Sequence, residues 1–181
     1  MGLHPETFWL GYATAAAAAW HPGSPDPAES MASFYPLFYG DRISRMDRVY
    51  QLMSGQAQFW SDSWETTPSN ARKPIWGNSF GVFDKPRPAR DQTLPLPPAP
   101  AADLKYSSDW AAQNAKRLQL ASEFLAENDE LLGLLHENLT KADLNRYNLE
   151  VFLSIARLCR HNLEMLAAIG RIEGSLRSAS E

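Results

Sequence analysis

The sequence is poor in cysteine, has no long apolar run and carries few aromatic residues past its midpoint. Cys159 is the only cysteine in 181 residues. That excludes an internal disulfide or a cysteine-rich zinc site and leaves a small apolar core residue as its expected role. No apolar stretch approaches the roughly 20 residues that a membrane-crossing helix requires. Met1 to Ala19 lacks the basic start of a secretory signal, and the compartment stays open. A net charge of -4 is not the basic excess of a general nucleic-acid binder. The chain has no Gly-x-Ser-x-Gly elbow and no phosphate-binding glycine loop. His4, His21, His136 and His161 form no metal-binding pair. No metal, cofactor, nucleic acid or membrane span is therefore expected.

What is present is enough to bury a core, with 44% hydrophobic and 21% charged residues. The aromatics are unevenly spread. Of 20, 17 lie at or before Trp110, and only Phe124, Tyr147 and Phe152 follow. The later sequence is instead rich in Leu, Ala, Glu and Arg. Six of the 13 prolines fall between Asp84 and Asp103, where fixed φ angles and missing donors favour an extended strap. The chain thus reads as an aromatic-rich segment over 1–83, a Pro-rich linker over 84–103 and a long-helix segment over 104–181.

Helix signals dominate both segments. Pro5 suits the first turn of a helix reaching Trp20, and Ala15 to Ala19 allow a neighbour close approach. Asp26, Pro27 and Glu29 form a capping start for a second helix, which Gly40 is suited to end. A third helix is predicted over 44–64, with Met46, Val49, Tyr50, Met53, Ala57, Trp60 and Trp64 along one face. Residues 72–83 read as a loop or minor hairpin. Beyond the strap, Ser107 or Ser108 caps a helix to Ala126. Glu127-Asn128-Asp129 then breaks it, and a further helix runs from Asp129 to about Ser175. Within it, Leu149, Phe152, Ala156, Cys159, Leu163 and Leu166 form one apolar stripe. Val151, Ile155, Leu158, Met165, Ile169 and Ile172 form a second, an arc that requires cover on two sides. The expected fold is all-α, a bundle of four to six helices with at most a minor β-hairpin.

Little of the chemistry rises above structure. Asp129-Glu130 is an acid pair that can serve acid/base work if its pKa values split, but at the start of a helix it answers the macrodipole instead. Asp26 and Glu29 read as capping residues. Asn138-Leu139-Thr140 matches a glycosylation acceptor, yet lies inside a predicted helix. Trp20, Trp60, Trp64 and Trp110 are expected in the core. Trp9 and Trp76 lie among turn or chain-start residues, and flat aromatic faces can stack on sugars.

One stretch is familiar as a whole. Gly2-Leu3-His4-Pro5-Glu6-Thr7-Phe8-Trp9-Leu10, the Ala-rich helix, Trp20-His21-Pro22-Gly23 and Asp26-Pro27-Ala28-Glu29 resemble the end of a glycoside hydrolase family 20 barrel, the fold of β-N-acetylhexosaminidases. Residues 2–20 resemble the exit from the eighth strand and the eighth helix. Phe34 to Gly40 resembles the aromatic, Gly-ended helix that follows. Arg72 to Gly77 and the long helices resemble C-terminal extensions of bacterial relatives. The resemblance implies a parent enzyme that hydrolyses terminal N-acetylhexosamines with the substrate's acetamido group as nucleophile. On that resemblance its catalytic Asp-Glu pair, at the end of the fourth strand, and the active-site tryptophan of the eighth would both lie upstream of Met1. No catalytic residue is therefore assigned to this chain, Asp129 and Glu130 included. His4, Glu6, Trp9 and Trp76 stand as substrate-rim candidates. The implied role is a non-catalytic C-terminal region that supports the barrel, its partner being that barrel or a second copy. The alternative is a stand-alone helical interaction or oligomerisation module.

Overall fold

The computed structural model describes residues 7–20, 23, 26–64 and 108–180. Five helices occupy them: α1 Trp9–Trp20, α2 Pro27–Tyr39, α3 Met46–Trp64, α4 Ser108–Lys141 and α5 Arg146–Ser180. Among the described residues there is no strand, and the all-α expectation holds. The Pro-rich strap 84–103, residues 72–83, Pro5 and the turn cluster at His21, Pro22, Ser24 and Pro25 lie outside the described residues.

The start of α2 follows from its sequence. The Asp26 carboxylate accepts a hydrogen bond from the Ala28 amide at 3.0 Å, and Pro27 opens the helix. Both devices satisfy or remove donors that the first turn leaves free. Gly40 ends it at φ 97°, donating its N–H to the Pro36 carbonyl. That backbone region admits glycine almost alone. A Cβ there would also meet the Asp143 Cβ at 3.0 Å.

The expected break at Glu127-Asn128-Asp129 does not occur. α4 runs unbroken through it for 34 residues, because the Asn128 side chain is spent on tertiary bonds rather than on capping its own backbone. Its Nδ2 donates to the Ala156 carbonyl at 3.0 Å and to Gln56 Oε1 at 3.3 Å, and the residue is 0% exposed. The chain turns instead at 142–145, where Asn145 takes φ 47°, a left-handed conformation that asparagine tolerates. Arg45, just before α3, does the same at φ 54°.

The chain divides into two compact units, residues 1–56 with 124–161 and residues 57–123 with 162–181. In the first, Phe34, Tyr35 and Tyr39 of α2 pack with Val49 and Leu52 of α3, Leu131 and Leu135 of α4, and Leu149 and Phe152 of α5. A short polar chain threads this core. The Tyr39 hydroxyl donates to Asn148 Oδ1 and lies 2.9 Å from the Tyr50 hydroxyl. Burial pushes the Tyr50 hydroxyl up to about 12 and raises Tyr39 further, so both stay neutral and act as hydrogen-bonding struts.

The corner between α4 and α5 docks on the end of α2. The amides of Asp143 and Leu144 donate to the Tyr39 carbonyl at 3.0 and 3.2 Å, and Asn145 Nδ2 donates to the Phe38 carbonyl at 2.7 Å. Asn138 clamps the α2–α3 turn by pairing with both the N–H and C=O of Ser44, at 2.8 and 2.9 Å. This buried asparagine is structural, as its place inside a predicted helix implied.

In the second unit Phe59, Ala121, Leu163 and Leu166 are buried. Gly170 lies against Leu118, whose Cδ atoms would stand 3.3 Å from an added Cβ. On α5 the first predicted stripe is buried throughout: Leu149, Phe152, Ala156, Cys159, Leu163 and Leu166. The second is not covered as expected. Val151, Ile155 and Ile169 are half-buried, and Leu158, Met165 and Ile172 are 46%, 49% and 54% exposed. The second stripe is thus half-buried at three positions and exposed at the other three.

Candidate functional site

The most distinctive surface lies on α1, whose 12 residues include no buried one. At about 100° per residue, Trp9, Tyr12, Ala16 and Trp20 share one face. Leu10, Ala13, Thr14 and Ala17 occupy the adjoining face, and all four are half-buried. The bundle therefore takes up the small-residue side, and the aromatic side is left in water. Leu10 and Ala13 rest on the core cluster, and the Trp9 ring meets Phe38 of α2 at 6.1 Å between centroids. Phe8, Trp9, Tyr12 and Trp20 are 40%, 45%, 59% and 85% exposed, and Leu37 of α2 is 79% exposed.

Within this surface the rings are arranged but not covered. Tyr12 meets Phe8 at 6.1 Å and Trp9 edge-on at 6.2 Å, spacings typical of favourable aromatic pairs. On α2, Phe34 stacks on Phe38 at 4.8 Å, with Phe34 buried and Phe38 half-buried. The eight aromatics before Gly40 thus divide by helix. Those at α1 face solvent, and those of α2 are largely taken into the core. Trp20, expected inside, is the most exposed of them.

Of the rim candidates, only Trp9 falls within the described residues; His4, Glu6 and Trp76 lie outside them. Trp60 is half-buried, and the side chains of Trp64 and Trp110 lie outside the description.

The Asp129-Glu130 pair does not open a helix but sits in the middle of α4. There the two carboxylates point to different partners. Asp129 pairs with Arg160 of α5. Glu130 receives Arg48 Nη2 and Arg45 Nη2, each at 2.7 Å. Hydrogen bonding from Arg48, then from Arg45, holds the Glu130 carboxyl below its usual range. Both acids are in ion pairs, and Glu130 is not held in the protonated state a general acid needs. Among the described residues, no group of three His, Cys, Asp or Glu could hold a metal ion. Cys159 is buried, and desolvation pushes its thiol up to about 11, the opposite of an activated nucleophile.

The exposed line Leu158, Met165 and Ile172 escaped the sequence reading because it was assigned to a covered arc. Its signal was nevertheless present, since the three residues recur every seventh position. Among the described residues no helix is long and apolar enough to cross a membrane. No protein-family model, curated protein or solved structure matches the chain.

Proposed function

We propose that this chain is the non-catalytic C-terminal region of a β-N-acetylhexosaminidase-like glycoside hydrolase, with α1 seated against the catalytic barrel. The observation that supports this reading is the uncovered aromatic face of α1. An apolar patch of this kind is uncommon on a monomer and marks an interaction surface. The sequence resemblance assigns residues 2–20 to the exit from the last strand and the last helix of a barrel, where neighbouring barrel elements cover such a face. The acid pair tied up by arginines accords with a supporting role and not a catalytic one.

The test has two arms. The coding sequence upstream of Met1 is expected to continue into barrel strands carrying an adjacent Asp-Glu pair. In the parent protein, Tyr12→Ala with Trp20→Ala is expected to lower thermal stability with little change in KM for a chromogenic N-acetylglucosaminide. The purified chain alone is expected to show no turnover of that substrate. An upstream sequence without barrel strands would overturn the proposal. So would turnover by the chain alone that a point substitution within it abolishes.

A further inference from the structure

The core of the first compact unit is made by two helix–turn–helix pieces. One is the arm α2–α3, turned at 40–45, and the other is the hairpin α4–α5, turned at 142–145. No short turn joins arm to hairpin, since residues 65–107 separate them in sequence. How the arm seats is therefore decided by contacts across the seam. The apolar contacts carry little of that information. Met46, Val49 and Leu52 on α3, like Leu131 and Leu135 on α4, recur every three or four residues, and such faces look much alike one turn further along. Moving the arm by one helical turn, about 5.4 Å, still sets apolar residues against apolar residues.

Three buried asparagines break this sameness. Asn128, Asn138 and Asn148 follow one another at ten-residue steps along the hairpin and are 0%, 0% and 4% exposed. Each takes a partner from the arm. Asn128 Nδ2 donates to Gln56 Oε1 at 3.3 Å as well as to the Ala156 carbonyl, and Gln56 Nε2 donates in turn to the Phe124 carbonyl at 3.0 Å. Asn138 accepts from the Ser44 N–H and donates to the Ser44 carbonyl. Asn148 Oδ1 accepts from the Tyr39 hydroxyl. The order 128, 138, 148 on the hairpin meets 56, 44, 39 on the arm, three rungs at three levels. The bonds from Asp143 and Leu144 to the Tyr39 carbonyl hold only the end of α2.

We propose that this ladder is a specificity device, which selects one seating of the arm on the hairpin while adding little net stability. A buried amide gives up water to gain its partner, so the paired state gains little over apolar side chains of the same shape. An amide buried without its partner bears the full cost of leaving water. In a displaced seating every rung loses its arm partner at once. The cost therefore falls on the wrong seatings and spares the right one, as a single buried asparagine does when it fixes the register of a coiled coil. The inference does not depend on what α1 docks against.

The experiment uses the whole chain and replaces both sides of a rung together. Gln56→Met with Asn128→Leu makes one rung apolar, Tyr39→Phe with Asn148→Leu makes another, and a fourfold variant combines them. Each pair is expected to keep its helical circular dichroism and a urea midpoint near that of the unaltered chain. Gln56→Met or Asn128→Leu alone is expected to lower the midpoint, because each strands the other amide. In the fourfold variant the amide NMR spectrum is expected to show doubled or broadened signals from the arm. Hydrogen exchange of the α3 amides up to Gln56 should speed by about tenfold or more.

A fourfold variant with one sharp set of signals and unchanged exchange would overturn the proposal, since the seating would then be unique without the ladder. A pair whose midpoint falls as far as its two single substitutions together would overturn it as well, by making the rung an ordinary stabilising contact. Loss of helix in the fourfold variant counts the same way, and the separate pairs still report on each rung.

Discussion

Leu149 and Leu158 lie on one helix in the same compact unit and carry the same side chain, yet they are 0% and 46% exposed. Replacing each with alanine removes the same atoms and changes helix propensity by the same small amount. Any difference in stability then reports burial alone. Leu149 belongs to the core cluster with Phe152, Leu131 and Tyr39. Its truncation forfeits the transfer free energy of the lost methyl groups and leaves a cavity, at a cost of about 2–5 kcal/mol. Leu158 already faces water on its outer side, and its truncation is expected to change stability by less than ~0.5 kcal/mol. With a urea slope of roughly 1–3 kcal/mol/M, the core variant should lose on the order of 1–3 M in its midpoint. The unfolding is followed by circular dichroism. Equal midpoints for the two variants would refute the placement of the two stripes. A larger loss at Leu158 would show that the helix is turned the other way.

Three further outcomes follow from particular residues. Asn128→Ala removes a buried donor to the Ala156 carbonyl and to Gln56, and is expected to cost about 1–3 kcal/mol, read from the urea midpoint. Gly40→Ala meets both the φ of 97° and the Asp143 Cβ at 3.0 Å, and should cost about 1–3 kcal/mol; a neutral result in thermal melts would contradict the described turn. Cys159 should resist a thiol reagent in the folded chain and react on addition of denaturant. Because burial raises its thiol from 9.0 to about 11, its contribution to stability is complete below pH 9 and lost as pH rises toward 11. Cys159→Ser should lessen that alkaline loss, and an unchanged profile would count against it.

The legible parts of the fold were those decided within a few residues of the chain. Asp26, Pro27 and Gly40 state the limits of α2 because capping and positive φ are local chemistry. The inner stripe of α5 was legible for a related reason, since helical periodicity needs only the helix itself. The α4–α5 corner was not. Asn128 has the composition of a cap, and only the proximity of Gln56 and Ala156 turns its amide to tertiary use. Asn145, which does sit at the turn, lies in a stretch with neither glycine nor proline to mark it. Among the described side chains of α3, Leu52, Gln56 and Phe59 are buried beyond Met46 and Val49, a face turned slightly from the predicted one, and burial of the polar Gln56 hid it. At the candidate surface the aromatic excess of the first 40 residues was plain. Its division between an exposed α1 and a packed α2 depends on which face of α1 the bundle takes.

The joint at the end of α2 also sets a timetable. Tyr39 is tied to Asn148 across 109 residues, and Arg42 to Asp143 across 101. At a synthesis rate of about 5–20 residues per second, the partners of α2 emerge roughly 5–20 seconds after it does. For that interval Phe34, Tyr35 and Tyr39 share with α1 the condition that α1 keeps in the finished chain, an aromatic face turned toward water. The nascent chain is thus most prone to capture by a chaperone, or by another nascent chain, before residues 131–153 have emerged. Slowing translation over the second half should lower the yield of folded protein more than slowing it over the first.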